Sequence, residues 1–345
     1  MKILVTGAAG FIGSKLMFML SKRGDEVIGI DNINDYYDVR IKYGRLKECG
    51  IEQPNNQFEF GKVVVSSIFS NCRFIRMAID EKESIDQLFE SERFEKVVNL
   101  AAQAGVRYSI TNPYAYLQSN IVGFLNILEG CRHNCVPHLI YASSSSVYGL
   151  NTKVPYNEQD NVDTPVSLYA ATKKSNELMA HSYSKLYGIA TAGLRFFTVY
   201  GPWGRPDMSP MLFAKAISDG EPIKVFNHGD MIRDFTYIDD IVEGTIRVID
   251  QIIKPEECPN GVPAKVYNIG CSQPVKLMDF IHEIESAYGK DAEKVYLPMQ
   301  PGDVYQTNAD TTKLEIELGY KPHWSLHNGI IEFMEWYKSD KNPLK

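Results

Sequence analysis

The sequence predicts an α/β fold: a Rossmann-type doubly wound parallel sheet followed by a smaller C-terminal α+β portion. Two observations carry the prediction. Short β-branched runs alternate with helical patterns over the first half of the chain, and the runs are nearly all apolar, as strands covered on both faces must be. The first run then breaks into "VTGAAGFIG", whose glycines sit where a strand would turn into a helix. The 345 residues suffice for one large or two ordinary domains with a sizeable core.

In order, the expected strands are "KILVTG" (2–7), "EVIGID" (26–31), "CRFIRMAI" (72–79), "KVVNLAA" (96–102), "HLIYASS" (138–144) and "TAGLRFF" (191–197). Between them, "SKLMFMLSKRG", "ESIDQLFESE", "GFLNILEGCRHN" and "KSNELMAHSYSKLYG" space apolar residues three and four apart, which aligns them on one helix face. Residues 49–71 form a long polar-then-apolar insertion, read as a hairpin or flap. Beyond about residue 200, Pro and Gly become frequent, and "PIKVF", "RDFTYI" and "KVYNIG" interleave with helices near 210–219, 239–253 and 276–288. The expected division is a dinucleotide-binding unit over 1–198, rejoined by segments near 226–250 and 265–275, and a mainly substrate-binding portion over 199–345.

Composition narrows the function. A net charge of −7 argues against a general nucleic-acid or anionic-membrane surface but leaves room for a local basic pocket. No run of about 18 apolar residues occurs, and the N-terminus lacks the parts of a secretory signal. The six cysteines are scattered, which suits a reducing cytoplasm. Cys131 and Cys135 lie near His133 and His138, but no second ligand pair with zinc spacing occurs, so packing thiols and no metal are expected.

Three motifs carry chemistry. In the glycine turn, Gly7 permits a tight bend, Gly10 lets backbone approach a pyrophosphate, and Gly13 allows close helix–strand packing. Asp31, ending the second strand, can accept both ribose hydroxyls of an adenosine and would repel a 2′-phosphate, favouring NAD over NADP. In "YAATK", Tyr169 and Lys173 share one helix face. An ammonium and a positive nicotinamide nearby would lower the phenol pKa and make Tyr169 a usable base. "ASSSSVYG" sets Ser144, Ser145 and Ser146 at the carboxyl edge of the sheet, where a polar ligand would satisfy them.

Together with "LAAQAGVRYS" and "LRFFTVYGPWGRPDM", these motifs resemble the extended short-chain dehydrogenase/reductase family, and more narrowly its bacterial UDP-glucuronate 4-epimerases, over about residues 1–338. The resemblance implies that Tyr169 is the base, that Lys173 holds the nicotinamide ribose, and that Ser144, Ser145 and Ser146 bond the sugar O4. It implies an NAD site lined by Gly7, Gly10, Phe11, Ile12, Gly13, Asp31, Asn32, Ile79, Asp80, Leu100, Ala101, Ala102, Gln103, Asn120, Tyr169, Lys173 and Phe197. Relatives often carry an acid where Ala78 stands, with Asp80 the substitute here. For a substrate with a carboxylate on its hexose, Thr198 and Arg205 are the implied partners and Arg107 a second candidate. Phe226, Arg233 and Asp303 would hold the nucleotide, Arg233 on the diphosphate and Asp303 near the uridine ribose.

The implied reaction converts UDP-glucuronate to UDP-galacturonate through a 4-keto sugar, with NAD retained. A UDP-glucuronate decarboxylase would be expected to place an acid beside the serines, where Ser145 and Ser146 offer none. A neutral UDP-hexose 4-epimerase would not need Thr198 and Arg205, and a non-catalytic NAD-binding scaffold or sensor would not need Ser144, Tyr169 and Lys173. A homodimer is implied, paired through the helix near 113–133 and the helix after Tyr169.

Overall fold

The computed structural model describes residues 1–345. Its strands are β1 (Lys2–Thr6), β2 (Glu26–Asp31), β3 (Val63–Val65), β4 (Cys72–Arg76), β5 (Lys96–Asn99), β6 (His138–Ser144), β7 (Ala190–Phe196), β8 (Thr198–Tyr200), β9 (Ile223–Val225), β10 (Ile232–Tyr237), β11 (Ala264–Ile269), β12 (Pro274–Lys276) and β13 (Lys294–Tyr296). Eight of them form one sheet in the order β11-β7-β6-β5-β1-β2-β4-β3. Every pairing in it is parallel except β3 with β4. The inner strands are buried on both faces, as their unbroken apolar runs require.

The chain moves outward from β1 in one direction through β2 and β4, then in the other through β5, β6 and β7. This reversal opens a crevice at the carboxyl ends of β1 and β5, where ligands of such sheets bind. β4 and β5 end three residues earlier than their apolar runs, at Arg76 and Asn99, because the chain leaves the ladder there to line that crevice. The 49–71 insertion is a hairpin arm: β3 pairs antiparallel on β4, and buried Phe58 stacks on Tyr43 and meets Phe74 edge-on.

"KVYNIG" returns to the large sheet as β11, while β12, β10 and β8 make a three-stranded sheet and β13 and β9 a pair. One buried apolar cluster runs from Ile3 and Leu16 through Ile241 to Phe280 and Phe333, so early and late segments share a core. The helical pattern near 113–133 is interrupted by a π-turn at Leu117–Gly123, where Gly123 lies against Ile79. No helix is long and apolar enough to cross a membrane. Cys131 is buried and Cys135 exposed, and no group of three or more His, Cys, Asp or Glu side chains gathers in metal-binding fashion.

Candidate active site

The crevice is a cavity of about 1190 Å³. That exceeds the roughly 300–1,000 Å³ of an ordinary single-ligand pocket, leaving room for two ligands end to end. At its near end Gly7 adopts φ 71°, and a Cβ there would lie 2.8 Å from the Ala101 nitrogen. A Cβ on Gly10 or Gly13 would lie 2.8 Å or 2.1 Å from the Gly7 carbonyl oxygen. No side chain fits at these three positions. The helix Phe11–Arg23 has no side-chain cap at Gly10, so its first N–H groups are left for an anion.

Asp31 ends β2 with its carboxylate accepting from the Ala9 N–H at 3.2 Å and the Ile33 N–H at 2.8 Å. Buried Lys42 stands 3.8 Å away and donates to Asn34 at 2.8 Å. This cation, which the sequence reading missed, faces the acid from the helix Arg40–Glu48. Phe11, Ile12, Asn32, Ile79, Asp80, Leu100, Ala101, Ala102, Gln103 and Phe197 line the cavity, with Ala78 on the wall beside Asp80. The glycine cradle, the free helix start and the ribose-facing acid together fit a dinucleotide.

Asn120 corrects the sequence reading. It lies behind the wall, 1% exposed, with its Oδ1 accepting from the Gln103 N–H at 2.8 Å and its Nδ2 donating to the Gln103 carbonyl at 3.0 Å. Its Nδ2 also donates to the Thr172 hydroxyl at 3.1 Å, so the amide is committed within the protein, holds Gln103 in place and is not part of the cavity lining.

In the middle of the cavity, Ser144 caps the short turn Ser145–Tyr148. Its Oγ accepts from the Ser146 N–H at 3.2 Å and the Ser146 hydroxyl at 2.9 Å, while Ser145 lines the same wall. Tyr169 stands in the first turn of the helix Leu168–Tyr187, which Ser167 caps by accepting from the Ala170 N–H at 3.1 Å. Lys173 lies one turn on, buried, donating to the Ala142 carbonyl at 2.8 Å, and burial pushes its pKa down to about 8.

Burial raises the Tyr169 pKa, opposed by a hydrogen bond with Ser144 and by the charge of Arg205. Lys173 keeps its charge while one of its three N–H groups goes to the Ala142 carbonyl. One further turn along the helix, buried Glu177 accepts from Arg195 Nε and Nη2, each at 2.9 Å, and from the Ser143 hydroxyl at 2.6 Å. This ion pair pins the Tyr169 helix to β6 and β7.

At the far end Phe226, Arg233 and Asp303 line the cavity, and Thr198 lines it next to Phe197. Arg233 donates to Asp303 at 2.9 Å and to the Val304 carbonyl at 2.6 Å. Arg107 is placed here too: its guanidinium lies 5.2 Å from the Phe226 ring centroid and 4.0 Å from Asp303. Phe226 and Asp303 thus offer its planar cation a stacking face and a counter-charge.

The loop between Gly201 and Met208 roofs the site. Arg205 donates from Nε and Nη2 to Asp207 at 3.1 and 2.6 Å, and the Tyr36 hydroxyl donates to the same carboxylate at 3.1 Å. Burial would raise the Asp207 carboxyl, but Arg205 beside it holds it below the usual range. Burial and then the charge of Asp207 push Tyr36 up to about 12. Beneath the loop, Arg45 is 1% exposed and donates to the carbonyls of Trp203 (3.0 and 2.7 Å), Gly204 (3.2 Å) and Ala9 (3.2 Å), and to the Tyr37 hydroxyl (2.8 Å). Tyr36, Arg45 and Asp207 escaped the sequence reading. Only the closeness of Asp207 to Arg205 in "GRPDM" signalled any of them.

Residues 3–270 match the family described as NAD dependent epimerase/dehydratase. The chain is 51% identical over 346 residues to the protein CapI of Staphylococcus aureus, covering 98% of each. It is 45% identical over 346 residues to UDP-glucuronate 4-epimerase 4 of Arabidopsis thaliana, covering 98% of this chain and 75% of that one. A solved structure of UDP-glucuronic acid 4-epimerase from Bacillus cereus, in complex with UDP-glucuronic acid and NAD, is 34% identical with a TM-score of 0.85 over 98% of this chain and 99% of that one.

Proposed function

The chain belongs to the NAD dependent epimerase/dehydratase family, and from that premise we propose that it interconverts UDP-glucuronate and UDP-galacturonate by 4-epimerisation. The observation that carries this reading is Arg205, which lines the same cavity as Tyr169 and the serines and has only its Nε–Nη2 edge engaged by the protein. A 4-epimerase of neutral sugars has no use for that cation beside its base.

The chemistry that NAD supplies when bound is reversible two-electron oxidation of the C4 alcohol, with the cofactor restored each turnover. The N–H groups after Gly10 hold its pyrophosphate, Asp31 its adenosine ribose and Lys173 its nicotinamide ribose. Tyr169 takes the proton from the sugar O4 and returns it after the sugar has turned, while Ser144 and Ser146 hold O4 against it. Arg233 and Asp303, with Arg107 and Phe226, anchor the UDP so that the sugar alone rotates. The 4-keto sugar is a β-keto acid, which loses CO₂ when the bond to its carboxylate lines up with the carbonyl π system. Arg205 and Thr198 hold the carboxylate out of that alignment.

Residues 1–198 with the returning segments near 226–250 and 265–275 serve the cofactor, and the rest mainly the UDP-sugar. Leu117 and Leu125 on one helix and Leu178 and Leu186 on the Tyr169 helix are exposed, which supports a homodimer through these two helices. Light scattering should give the mass of two chains at micromolar concentration, and a monomer would refute the pairing. The free cysteines support a reducing, cytoplasmic location.

The deciding experiment is NMR analysis of products formed from UDP-glucuronate by the protein as purified. UDP-galacturonate should accumulate with no added cofactor, and a UDP-pentose with CO₂ as the main product would overturn the assignment. Arg205→Ala should weaken UDP-glucuronate by about 2–5 kcal/mol, roughly 30- to several-thousand-fold, and UDP-glucose far less.

A further inference from the structure

We propose that Asp207, held by Tyr36, is a positioning residue for Arg205. It fixes which edge of the guanidinium faces the sugar, and through that edge it sets the choice between epimerisation and loss of CO₂. The proposal rests on the reading of Arg205 as the partner of the uronate carboxylate.

A guanidinium carries five N–H donors in one plane. Asp207 takes the side edge, binding Nε at 3.1 Å and Nη2 at 2.6 Å. The remaining fork, formed by Nη1 and the second Nη2 hydrogen, makes no hydrogen bond within the protein. Both Arg205 and Asp207 line the cavity, so this pair is not a surface ornament.

The pair is held in turn. The Tyr36 hydroxyl donates to Asp207 Oδ2 at 3.1 Å, the same oxygen that receives Nη2. The Tyr36 ring lies 4.8 Å from that of Tyr108. All of this closes around Gly105, at φ 102°, where a Cβ would lie 3.1 Å from the Tyr36 hydroxyl, 3.6 Å from Arg205 Nη2 and 3.8 Å from the Tyr116 hydroxyl. The Tyr116 ring in turn meets that of Tyr169 at 6.0 Å. Three loops thus meet at one joint beside the base.

The charge arithmetic says what the joint is for. An acid against the one cation that must bind an anion weakens the attraction it offers. Electrostatic capture alone would be served better without Asp207. What Asp207 adds is direction: a fork pinned on one side presents its other donors at a fixed angle, and a carboxylate bound there cannot swing freely. That swing is the chemically costly motion. In the 4-keto sugar, breaking the C5–carboxylate bond sends its electron pair into the C4 carbonyl as an enolate, releases CO₂, and leaves C5 to take a proton. A fork free to rotate lets the carboxylate reach that geometry.

The test compares Asp207→Asn, Tyr36→Phe and Arg205→Ala in the cofactor-loaded enzyme. It measures kcat and KM for UDP-glucuronate and UDP-glucose, and CO₂ released per UDP-galacturonate formed. Asp207→Asn keeps the shape and removes the charge. It should change the KM for UDP-glucuronate less than about threefold while raising CO₂ per epimerisation at least tenfold. Tyr36→Phe should shift the same ratio in the same direction by a smaller factor, and it carries the test if Asp207→Asn does not fold. Asp207→Glu, which restores a carboxylate, should bring the ratio part of the way back. If Arg205→Ala raises CO₂ release while Asp207→Asn and Tyr36→Phe leave it at the wild-type level, the carboxylate reading of Arg205 stands and the positioning role of Asp207 is refuted. If Arg205→Ala changes neither CO₂ release nor the preference between the two sugars, the Arg205 reading fails and this proposal fails with it.

Discussion

Gly13→Ala should strip the protein of its cofactor. The added Cβ would sit 2.1 Å from the Gly7 carbonyl oxygen and 2.8 Å from the Gly7 carbonyl carbon, both backbone atoms that no side-chain rotation can move aside. Even a close carbon–oxygen contact needs about 3.3 Å, so the turn and the helix start must part by about 1 Å. That displacement takes N–H donors away from the pyrophosphate. Each hydrogen bond to a charged group is worth about 1.5–3 kcal/mol, so losing two costs about 3–6 kcal/mol, roughly 10² to 10⁴ in NAD affinity. The assay is the amount of nucleotide released per chain when the purified variant is denatured, alongside activity against added NAD. Wild type should hold one NAD per chain, while the variant should arrive empty and regain turnover only with added cofactor. Gly188→Ala is the control: it also has a positive φ (71°), but nothing lies within 4 Å of its would-be Cβ, so it should cost stability without costing NAD. Full NAD retention in Gly13→Ala, with no response to added NAD, would refute the geometry argued for the turn.

Tyr169→Phe should lower kcat by about 10² to 10⁴ with little change in substrate affinity, and near-normal turnover would move the base elsewhere. Arg195→Met leaves buried Glu177 with Ser143 alone, a loss of about 3–5 kcal/mol. At about 2.1 cal/mol/K of unfolding entropy per residue, the melting midpoint of the 345-residue chain should fall by about 4–7 °C, and an unchanged midpoint would deny the pair its structural role. Lys173 stands at about 8 in the fold against 10.5 when free, so between these values the unfolded chain binds more protons and stability rises with pH. Cofactor-free wild type should therefore gain on the order of 3 kcal/mol on Lys173→Met across that window in denaturant titrations. A constant difference would mean that the ammonium is not desolvated.

Local chemistry made much of this molecule legible. The apolar runs gave the inner strands because both faces of a parallel sheet are covered. The glycine turn and Asp31 were readable because only glycine tolerates a backbone that close. Placement was harder to read. Arg107 sits in the same motif whichever end of the cavity it serves, and only the fold brings Phe226 and Asp303 to it. Asn120 is a polar residue on a helical pattern, and whether its amide meets a ligand or the Gln103 backbone depends on a π-turn with no composition of its own. Lys42 and Arg45 lie in "RIKYGRLKE", a charged stretch whose composition carries no sign of burial. Both are buried because the cavity loops fold over that helix, a long-range event invisible in local spacing. Four residues along a helix fix where Lys173 starts, but the Ala142 carbonyl decides where its ammonium ends.

Arg45 binds the Ala9 carbonyl inside the glycine turn and the Trp203 and Gly204 carbonyls of the roof with one rigid cation. Neither segment can shift without disturbing a bond to the other, so displacement of the glycine turn is passed to the roof loop. Such coupling is reciprocal: whatever factor an occupied glycine turn adds to uronate affinity, bound uronate must add to cofactor retention. Exchange of NAD with solution should then be slowest when UDP-glucuronate is saturating and fastest when it is absent. Want of substrate, and not the number of turnovers completed, becomes the condition under which this enzyme loses its cofactor.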